Sequence, residues 1–135
     1  MAQPQVPKQV LIGRVIKAGR GEGLALVSTE PVGFLGGVDP ETGRVIEQGH
    51  SLYGQSVAGR VLVFPSGKGS TVGSYTLYRL ARNGLAPAAL INAQSEAIVA
   101  VGAIISGIPM VDQIDITQIK TGQHVIVQDG TVAIG

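Results

Sequence analysis

The fold of this chain can be predicted outward from residues 60–70, Arg60-Val61-Leu62-Val63-Phe64-Pro65-Ser66-Gly67-Lys68-Gly69-Ser70. Residues 60–65 contain a continuous apolar run, which is typical of a central strand buried on both faces. The serines and glycines that follow end the strand, and a helix is predicted to start there. Its apolar stripe falls at helical spacing on these residues: Gly73, Leu77, Leu80, Ala81 and Gly84. Asn83-Gly84 ends the helix, since both residues tolerate the left-handed cap conformation.

Upstream of this stretch, the sequence predicts a β-hairpin and a long loop. Residues Gln9–Ile16 are rich in β-branched side chains and predict a strand. Gly19–Gly23 predicts a turn, and Leu24–Ser28 a second strand. The segment from Glu30 to about Ala58 has the composition of a loop. An ordered loop of this length in a small domain is usually functional or covers a site.

Downstream, the predicted elements continue the alternation of strands and helices. A strand is predicted at Pro87–Ile91, a short strand at Pro109–Asp112 and a hairpin around Gln128-Asp129-Gly130. Between the two strands we predict a helix that Ser95 caps and Gly107 ends. Its inward side chains are predicted to be Ile98, Val101 and Ile105. The predicted fold class is therefore α/β, a mixed sheet with helices and a β layer formed by the chain ends. We expect residues 1–8 to be a disordered lead and residues 9–135 to form one domain.

Composition excludes several classes of function. The 135 residues carry a net charge of +1 and only 4% aromatic residues, which argues against a nucleic-acid binder. Charged residues make up only 14% of the chain, well below the usual share, and a neutral apolar surface points to a protein partner. No apolar run is long enough to span a membrane, and no signal peptide is evident. We therefore expect a cytoplasmic protein without membrane contact.

The chain has no cysteine and two histidines, His50 and His124. It cannot form a thiolate nucleophile or ligate a cluster through sulfur. The histidines lie far apart in sequence, so we predict no metal site; we expect His50 at the surface and His124 in a structural position. This chain is therefore expected to bind no cofactor by itself.

The loop Ser66-Gly67-Lys68-Gly69-Ser70-Thr71 is the main candidate for a binding site. It joins the end of a buried strand to a helix N-terminus, where free N–H groups and a partial positive charge favour anions. Gly67 and Gly69 let the backbone approach a ligand, and Lys68 adds a cation for a carboxylate or phosphate. Neither the Walker loop nor the dinucleotide fingerprint fits, because positions 62 and 72 are not glycine.

The candidate residues also have purely structural interpretations. Ser70 or Thr71 can serve only as a helix cap, with the glycines in a tight turn. In the segment Gly36–Arg44, Asp39 and Glu41 are candidate acid–base groups, yet Asp-Pro followed by Thr-Gly is also ordinary turn chemistry. A serine with no histidine near it in sequence acts as a base only if backbone N–H groups stabilise its alkoxide.

Several separate motifs, in order, resemble the small subunit, or swivel domain, of the aconitase X family. They cover nearly the whole chain after residue 12: VGFLGGVDPETG at 32–43, LYG at 52–54, AGRVLVFP at 58–65, GSTVGSY at 69–75, RNGLAPAA at 82–89 and GAIISGIP at 102–109. The resemblance implies a swivelling β/β/α domain that docks on a large subunit as a heterodimer or higher assembly. It also implies an iron–sulfur cluster on that large subunit.

In this family the base is a serine of the glycine-rich loop, and the matching residue here is Ser70. The resemblance implies a small anionic substrate, and we name Ser66, Gly67, Lys68, Gly69, Thr71 and Asp39 as substrate-binding candidates. The archaeal branch of the family dehydrates (R)-5-phosphomevalonate to trans-anhydromevalonate 5-phosphate in the isoprenoid pathway, whereas the bacterial branch acts on cis-3-hydroxy-L-proline. The loop GSTVGS at 69–74 is closer to the archaeal branch. A non-catalytic binding or carrier module is the alternative from another class.

Overall fold

The computed structural model describes residues 8–135, so seven of the eight residues of the predicted lead lie outside the described part. Within it the chain forms eight strands, two α-helices and one short 3-10 helix. The strands are β1 (Gln9–Ile12), β2 (Arg14–Lys17), β3 (Arg20–Val27), β4 (Val61–Phe64), β5 (Ala89–Asn92), β6 (Met110–Asp112), β7 (His124–Gln128) and β8 (Thr131–Ile134). The α-helices are α1 (Gly73–Arg82) and α2 (Ala97–Ser106), and the 3-10 helix is Ile116–Gln118.

One mixed sheet connects the strands in the order β1-β8-β7-β3-β4-β5-β6-β2. Strands β3, β4, β5 and β6 are parallel, and the remaining pairs are antiparallel. The eight-residue β3 belongs to both halves, because its first part pairs with β7 and its last part with β4. The predicted β-α-β-α-β order from β4 to β6 and the C-terminal β7–β8 hairpin are confirmed, and the fold class is α/β as expected.

Strand β4 is buried on both faces, as its apolar run predicts. Leu62 and Phe64 pack into a core shared with the two helices, where the Phe64 ring meets the edge of Phe34 at a centroid distance of 6.2 Å. Val61 and Val63 pack into a second core toward β1, β7 and β8. Each such side chain stabilises the fold by roughly 1.5–3 kcal/mol on burial, so β4 joins the layers at the centre of the domain.

The predicted strand Gln9–Ile16 is wrong as a single element. The structure divides it at Gly13 into β1, which pairs with β8, and β2, which pairs with β6. A Cβ atom at Gly13 would lie 2.2 Å from the carbonyl oxygen of Asp112, so only glycine allows this close approach. The single residue between β1 and β2 thus joins the two ends of the strand order and nearly closes the sheet.

The predicted turn at Gly19–Gly23 is also wrong, and with it the N-terminal hairpin. Strand β3 begins at Arg20 and runs straight through Gly21 and Gly23. Cβ atoms at these two positions would lie 2.0 Å from the carbonyl oxygen of Ala88 and 2.4 Å from that of Gly59. The glycines therefore serve close packing of backbone against backbone rather than a change of chain direction.

Helix α2 starts and packs differently from the prediction, although Gly107 ends it in the left-handed conformation as expected. Glu96 caps it, and Ser95 instead donates to the buried Asp112 carboxylate at 2.7 Å. That carboxylate also accepts two hydrogen bonds from Arg14, which hold the pKa of Asp112 below its ordinary value.

The inward face predicted for α2 is wrong at Val101 and Ile105, while the third predicted residue, Ile98, is partly buried next to Gly73. The helix buries Val99, Gly102 and Ala103, whereas Val101 and Ile105 remain about half exposed. Helix α2 is apolar on all sides, so periodicity cannot identify its packing face. The packing face is set by Gly102, where a Cβ would lie 2.6 Å from Cδ1 of Leu77 on α1.

Candidate functional site

The candidate site is the loop of residues 65–72, which leaves the carboxyl end of β4 and leads into α1. Two backbone hydrogen bonds tie it to the long loop: the Val32 N–H donates to Ser66 O at 3.1 Å, and the Lys68 N–H donates to Val32 O at 3.2 Å. The end of β4 is also held from β5, because Asn92 Nδ2 donates to the carbonyl oxygen of Phe64 at 3.0 Å. The loop therefore starts from a fixed position at the sheet edge where α/β proteins bind ligands.

Gly67 brings the loop against the start of α2. Both carboxylate oxygens of Glu96 accept hydrogen bonds at 2.8 Å, one from the Ile98 N–H and one from the Val99 N–H. A Cβ atom at Gly67 would lie 2.3 Å from Glu96 Oε1. A Cβ here would also lie 2.3 Å from Val99 Cγ2 and would displace the carboxylate that caps α2. Glycine therefore lets the loop lie directly on this cap, and the N-terminal ends of both helices come together at this site.

Ser70 lies exposed just before α1. Its Oγ accepts a hydrogen bond from the Val72 N–H at 3.2 Å, and its carbonyl oxygen accepts one from the Gly73 N–H at 2.9 Å. The N-cap position of α1 is Val72, without a side-chain cap, so Ser70 forms a local serine turn rather than the helix cap. Its hydroxyl oxygen is accessible to a molecule that approaches from outside the chain.

The same loop contains three consecutive backbone N–H groups that are free to bind a ligand. Those of Gly69, Ser70 and Thr71 have no hydrogen-bond acceptor within residues 8–135. Gly69 adopts a positive φ of 95°, which turns the backbone at this point. The first turn of α1 carries no acidic side chain, so nothing in it offsets the partial positive charge of the helix terminus. The arrangement can bind an anion or stabilise a negatively charged oxygen.

Lys68 stands at the same loop but already has a partner. Its Nζ lies 2.9 Å from Oε2 of Glu47, which belongs to the long loop. A second carboxylate of that loop, Glu30, accepts a hydrogen bond from the Ser51 N–H at 2.8 Å. That bond is the main reason why the pKa of Glu30 is lowered, and the positive charge of Lys68 contributes. The long loop therefore places acidic groups beside the cation of the site.

The remaining loop candidates, Ser66 and Thr71, have different surroundings. Ser66 Oγ donates to the carbonyl oxygen of Gly67 at 3.2 Å, which stabilises the turn. Thr71 lies at the mouth of a groove of about 180 Å³ between the two helices, which is lined by Thr71, Ser74, Ala97, Ile98 and Val101. Thr71 therefore stands between the loop and an apolar groove, while Ser66 lies at the base of the loop.

Asp39 does not join this group. Its Oδ1 accepts a hydrogen bond from the Glu41 N–H at 2.9 Å, and its carbonyl oxygen accepts one from Gly43, as in an ordinary Asx turn. The next residue, Pro40, accepts a hydrogen bond from Asn83 at the C-terminal end of α1. Asp39 thus lies near the opposite end of α1, a helix of roughly 15 Å. Substrate binding by Asp39 stays a prediction.

His50 lies in the interior and not at the surface as expected. Its Nδ1 accepts from the Leu52 N–H at 3.0 Å, so its Nε2 donates to the carbonyl oxygen of Pro31, also at 3.0 Å. Both ring nitrogens hold the long loop in shape. Glu47 and Glu96, which touch Lys68 and Gly67, were not predicted, because their contacts join segments that are distant in sequence.

Within residues 8–135, no three histidine, aspartate or glutamate side chains lie close enough together to hold a metal ion. The same part of the chain contains no helix with the length and apolar character needed to cross a bilayer.

Comparison with known proteins gives a consistent result. Residues 10–134 match the aconitase X swivel domain. A phosphomevalonate dehydratase small subunit from Methanocella arvoryzae is 61% identical over 125 residues, which cover 90% of this chain and 94% of the relative. Its counterpart from Thermococcus onnurineus is 57% identical over 118 residues, or 87% of this chain and 91% of the relative.

A solved structure agrees with these relatives. The crystal structure of Thermococcus kodakaraensis aconitase X in its holo form superposes with a TM-score of 0.92 at 53% identity, over 94% of this chain and 98% of that one. The motifs from Val32 to Pro109 and the β/β/α layers therefore have one explanation: the chain belongs to the aconitase X swivel-domain family.

Proposed function

We propose that this chain is the small subunit of a hydro-lyase that dehydrates (R)-5-phosphomevalonate to trans-anhydromevalonate 5-phosphate in the isoprenoid pathway. Relatives that are 56–61% identical bear the name phosphomevalonate dehydratase small subunit, which supports this substrate and a large-subunit partner. The single observation that carries the proposal is the exposed Ser70 hydroxyl beside three free N–H groups at the start of α1. A cytoplasmic location stays a prediction.

Dehydration of this substrate removes a proton from the carbon next to the carboxylate and a hydroxyl group from the following carbon. The electron pair of the broken C–H bond forms the carbon–carbon double bond, and the hydroxyl group leaves with its own bonding pair as hydroxide. Proton and hydroxide together make up the one water that the substrate loses. In our proposal the Ser70 alkoxide accepts the proton. An alkoxide needs hydrogen-bond donors. The Val72 N–H already donates to this oxygen at 3.2 Å, and the neighbouring N–H groups of Gly69, Ser70 and Thr71 have no acceptor within residues 8–135. The positive end of α1 stabilises the same charge.

The residues of this chain do not fit an iron–sulfur cluster. Clusters of this kind are held by cysteine thiolates, and the sequence contains none. We therefore assign the cluster that the family implies to the large subunit, and the chemistry of this chain is limited to binding the substrate and moving its proton.

Lys68 is proposed to bind an anionic group of the substrate, with Glu47 as its partner before the substrate arrives. Replacing Lys68 with Met removes a charge-assisted hydrogen bond, so KM for (R)-5-phosphomevalonate is expected to rise about tenfold with little change in kcat. Replacing Glu47 with Gln frees the ammonium group, and KM is expected to fall. Steady-state kinetics of the complex measures both effects.

Lys120 provides the control for these two variants, since it is an exposed lysine on another part of the chain. Lys120→Met is expected to leave KM unchanged. Equal effects of Lys68→Met and Lys120→Met would mean that Lys68 acts only through the general charge of the surface.

The substrate is tested with the complex of this chain and its large subunit, loaded with the cluster. Loss of water from (R)-5-phosphomevalonate, followed by NMR, is expected to yield trans-anhydromevalonate 5-phosphate. Turnover of cis-3-hydroxy-L-proline instead would replace this substrate with that of the bacterial branch. If this chain purified without a partner and the loaded complex turned over neither compound, a binding or carrier module would be the better interpretation.

A further inference from the structure

Asn92, the last residue of β5, is completely buried, yet only one end of its carboxamide is paired. Its Nδ2 donates to the carbonyl oxygens of Phe64 at 3.0 Å and of Ile91 at 3.1 Å. Its Oδ1 has no hydrogen-bond donor within residues 8–135. The reverse orientation of the amide would turn its oxygen toward two carbonyl oxygens, so the surroundings themselves leave this acceptor unpaired.

An unpaired buried acceptor lowers the stability of a fold, so its presence requires an explanation. Side chains two residues apart on a strand share a face, which places Asn92 on the same face of β5 as Leu90. Leu90 and Phe64, the register partner of Asn92, both pack in the core shared with the helices. A leucine at position 92 would continue this core without an unpaired polar atom. Packing therefore does not explain the amide, and its contribution is the hydrogen bond to β4.

That hydrogen bond is the first of three that hold consecutive carbonyl groups where β4 ends and the loop of residues 65–72 begins. The carbonyl oxygens at positions 65 and 66 each accept from a backbone N–H at 3.1 Å, the first from Gln94 and the second from Val32. Among these three donors only Asn92 is a side chain. The three bonds fix the start of the loop, and the position of Ser70 further along it depends on them.

We infer that Asn92 is a positioning residue, which holds the end of β4 so that Ser70 meets the substrate carbon at the right distance. The inference rests on the proposed function, in which Ser70 accepts the proton. Asn92 is buried and acts through the carbonyl group of Phe64, not by contact with the substrate. Its unpaired Oδ1 is the loss of stability that accompanies an amide donor at this position.

The test compares Asn92→Leu with the wild type in the cluster-loaded complex with the large subunit. Leucine removes the donor to Phe64 and also the unpaired acceptor, so the effects on stability oppose each other and the urea midpoint is expected to change little. A displacement of about 1 Å in a reacting group lowers a rate about a hundredfold, and we expect kcat for (R)-5-phosphomevalonate to fall by about this factor. KM is expected to change less than about twofold, because Lys68 keeps its own bond to Val32.

Asn92→Asp is the second variant, because it keeps the size and shape of the side chain. Protonated, its O–H can donate to the Phe64 carbonyl as the amide does; ionised, it places a negative charge against that oxygen. Its kcat is therefore expected to fall as pH rises, over a range in which the wild type stays active and circular dichroism shows both complexes folded.

Ser106→Ala is the matched control. Ser106 Oγ is, within residues 8–135, the other buried side-chain atom without a partner, and it lies at the C-terminal end of α2. Removing this hydroxyl is expected to leave kcat and its pH dependence unchanged. Equal losses of kcat in Ser106→Ala and Asn92→Leu would overturn the inference, since any buried unpaired group would then have the same effect.

Wild-type kcat in a folded Asn92→Leu complex would also overturn it. If the leucine variant does not fold, Asn92→Asp decides, and a pH profile like that of the wild type overturns the inference. A wild-type complex that does not dehydrate phosphomevalonate refutes the proposed function instead. Hydrogen exchange of the full chain without substrate then tests Asn92 separately: the Gln94 and Lys68 N–H groups are expected to exchange faster in Asn92→Leu, and unchanged exchange refutes the positioning role.

Discussion

Replacement of Ser70 by alanine is expected to remove nearly all turnover while the complex with the large subunit still assembles. Among the described residues the Ser70 hydroxyl makes one hydrogen bond, which it accepts from the Val72 N–H at 3.2 Å, so its loss costs only about 1 kcal/mol of stability. A positioned base contributes 10²–10⁴-fold to a rate, and we expect kcat to fall about a thousandfold. Rates of (R)-5-phosphomevalonate dehydration, wild type beside variant, provide the measurement.

Two further measurements separate a base from a merely structural serine. Ser74→Ala removes a hydroxyl that donates within the chain to Thr71 O at 3.0 Å, and it is expected to retain most of the activity. Exchange of the substrate's α-proton with deuterated water reports proton removal directly, and Ser70→Ala is expected to stop it. An intact Ser70→Ala complex with wild-type exchange would remove Ser70 from the proposed mechanism.

Replacement of Gly21 by alanine is expected to destabilise the whole domain. The added Cβ would lie 2.0 Å from the carbonyl oxygen of Ala88, and this neighbour is backbone that cannot rotate away. Strand β3 pairs with both β4 and β7, so moving it disturbs both halves of the sheet. We expect the free energy of unfolding to fall by at least about 3 kcal/mol, measured by urea titration.

Gly49 is the control for this effect. It has a positive φ of 81°, and a Cβ there would meet nothing within 4 Å. Gly49→Ala is expected to cost only about 1 kcal/mol, the strain of an L-residue in this conformation. Equal losses from the two substitutions would mean that Gly21 matters for its backbone freedom, as in a turn, and that the close contact with Ala88 is of no consequence.

The centre of the fold was predictable from local sequence. The run before Pro65 has no alternation, which indicates burial on both faces, and β4 is buried throughout. Asn83-Gly84 and Asp129-Gly130 end a helix and form a hairpin as expected, because positive φ at Gly84 and at both residues of the second pair meets a local steric requirement. Such signals depend on neighbouring residues alone, so the sequence is sufficient to interpret them.

The errors arose where distant segments decide the structure. Glycine favours both turns and close backbone contacts, and only Ala88, far along the chain, shows which of the two applies at Gly21. The packing face of α2 likewise depends on Leu77 of α1 meeting Gly102. The local pattern of apolar residues shows neither the neighbour of Gly21 nor the neighbour of Gly102.

The candidate site was likewise predictable in part, where local sequence was sufficient, and not where distant segments contribute. Its position between β4 and α1 followed from the strand, the glycines and the helix stripe, and the choice of Ser70 followed from the family resemblance. The Glu47 partner of Lys68 and the Glu96 cap beneath Gly67 come from other segments, so the electrostatics of the loop required the folded chain.

The short connection at Gly13 has a consequence for how the chain associates. An open sheet has two edges whose unpaired backbone groups can recruit strands from other molecules. Here β1 and β2, the strands at the two ends of the order, are four residues each and are joined by a single residue. Fibril-like growth by strand addition is therefore disfavoured, and attraction between molecules is directed to the helices, where the apolar side chains lie.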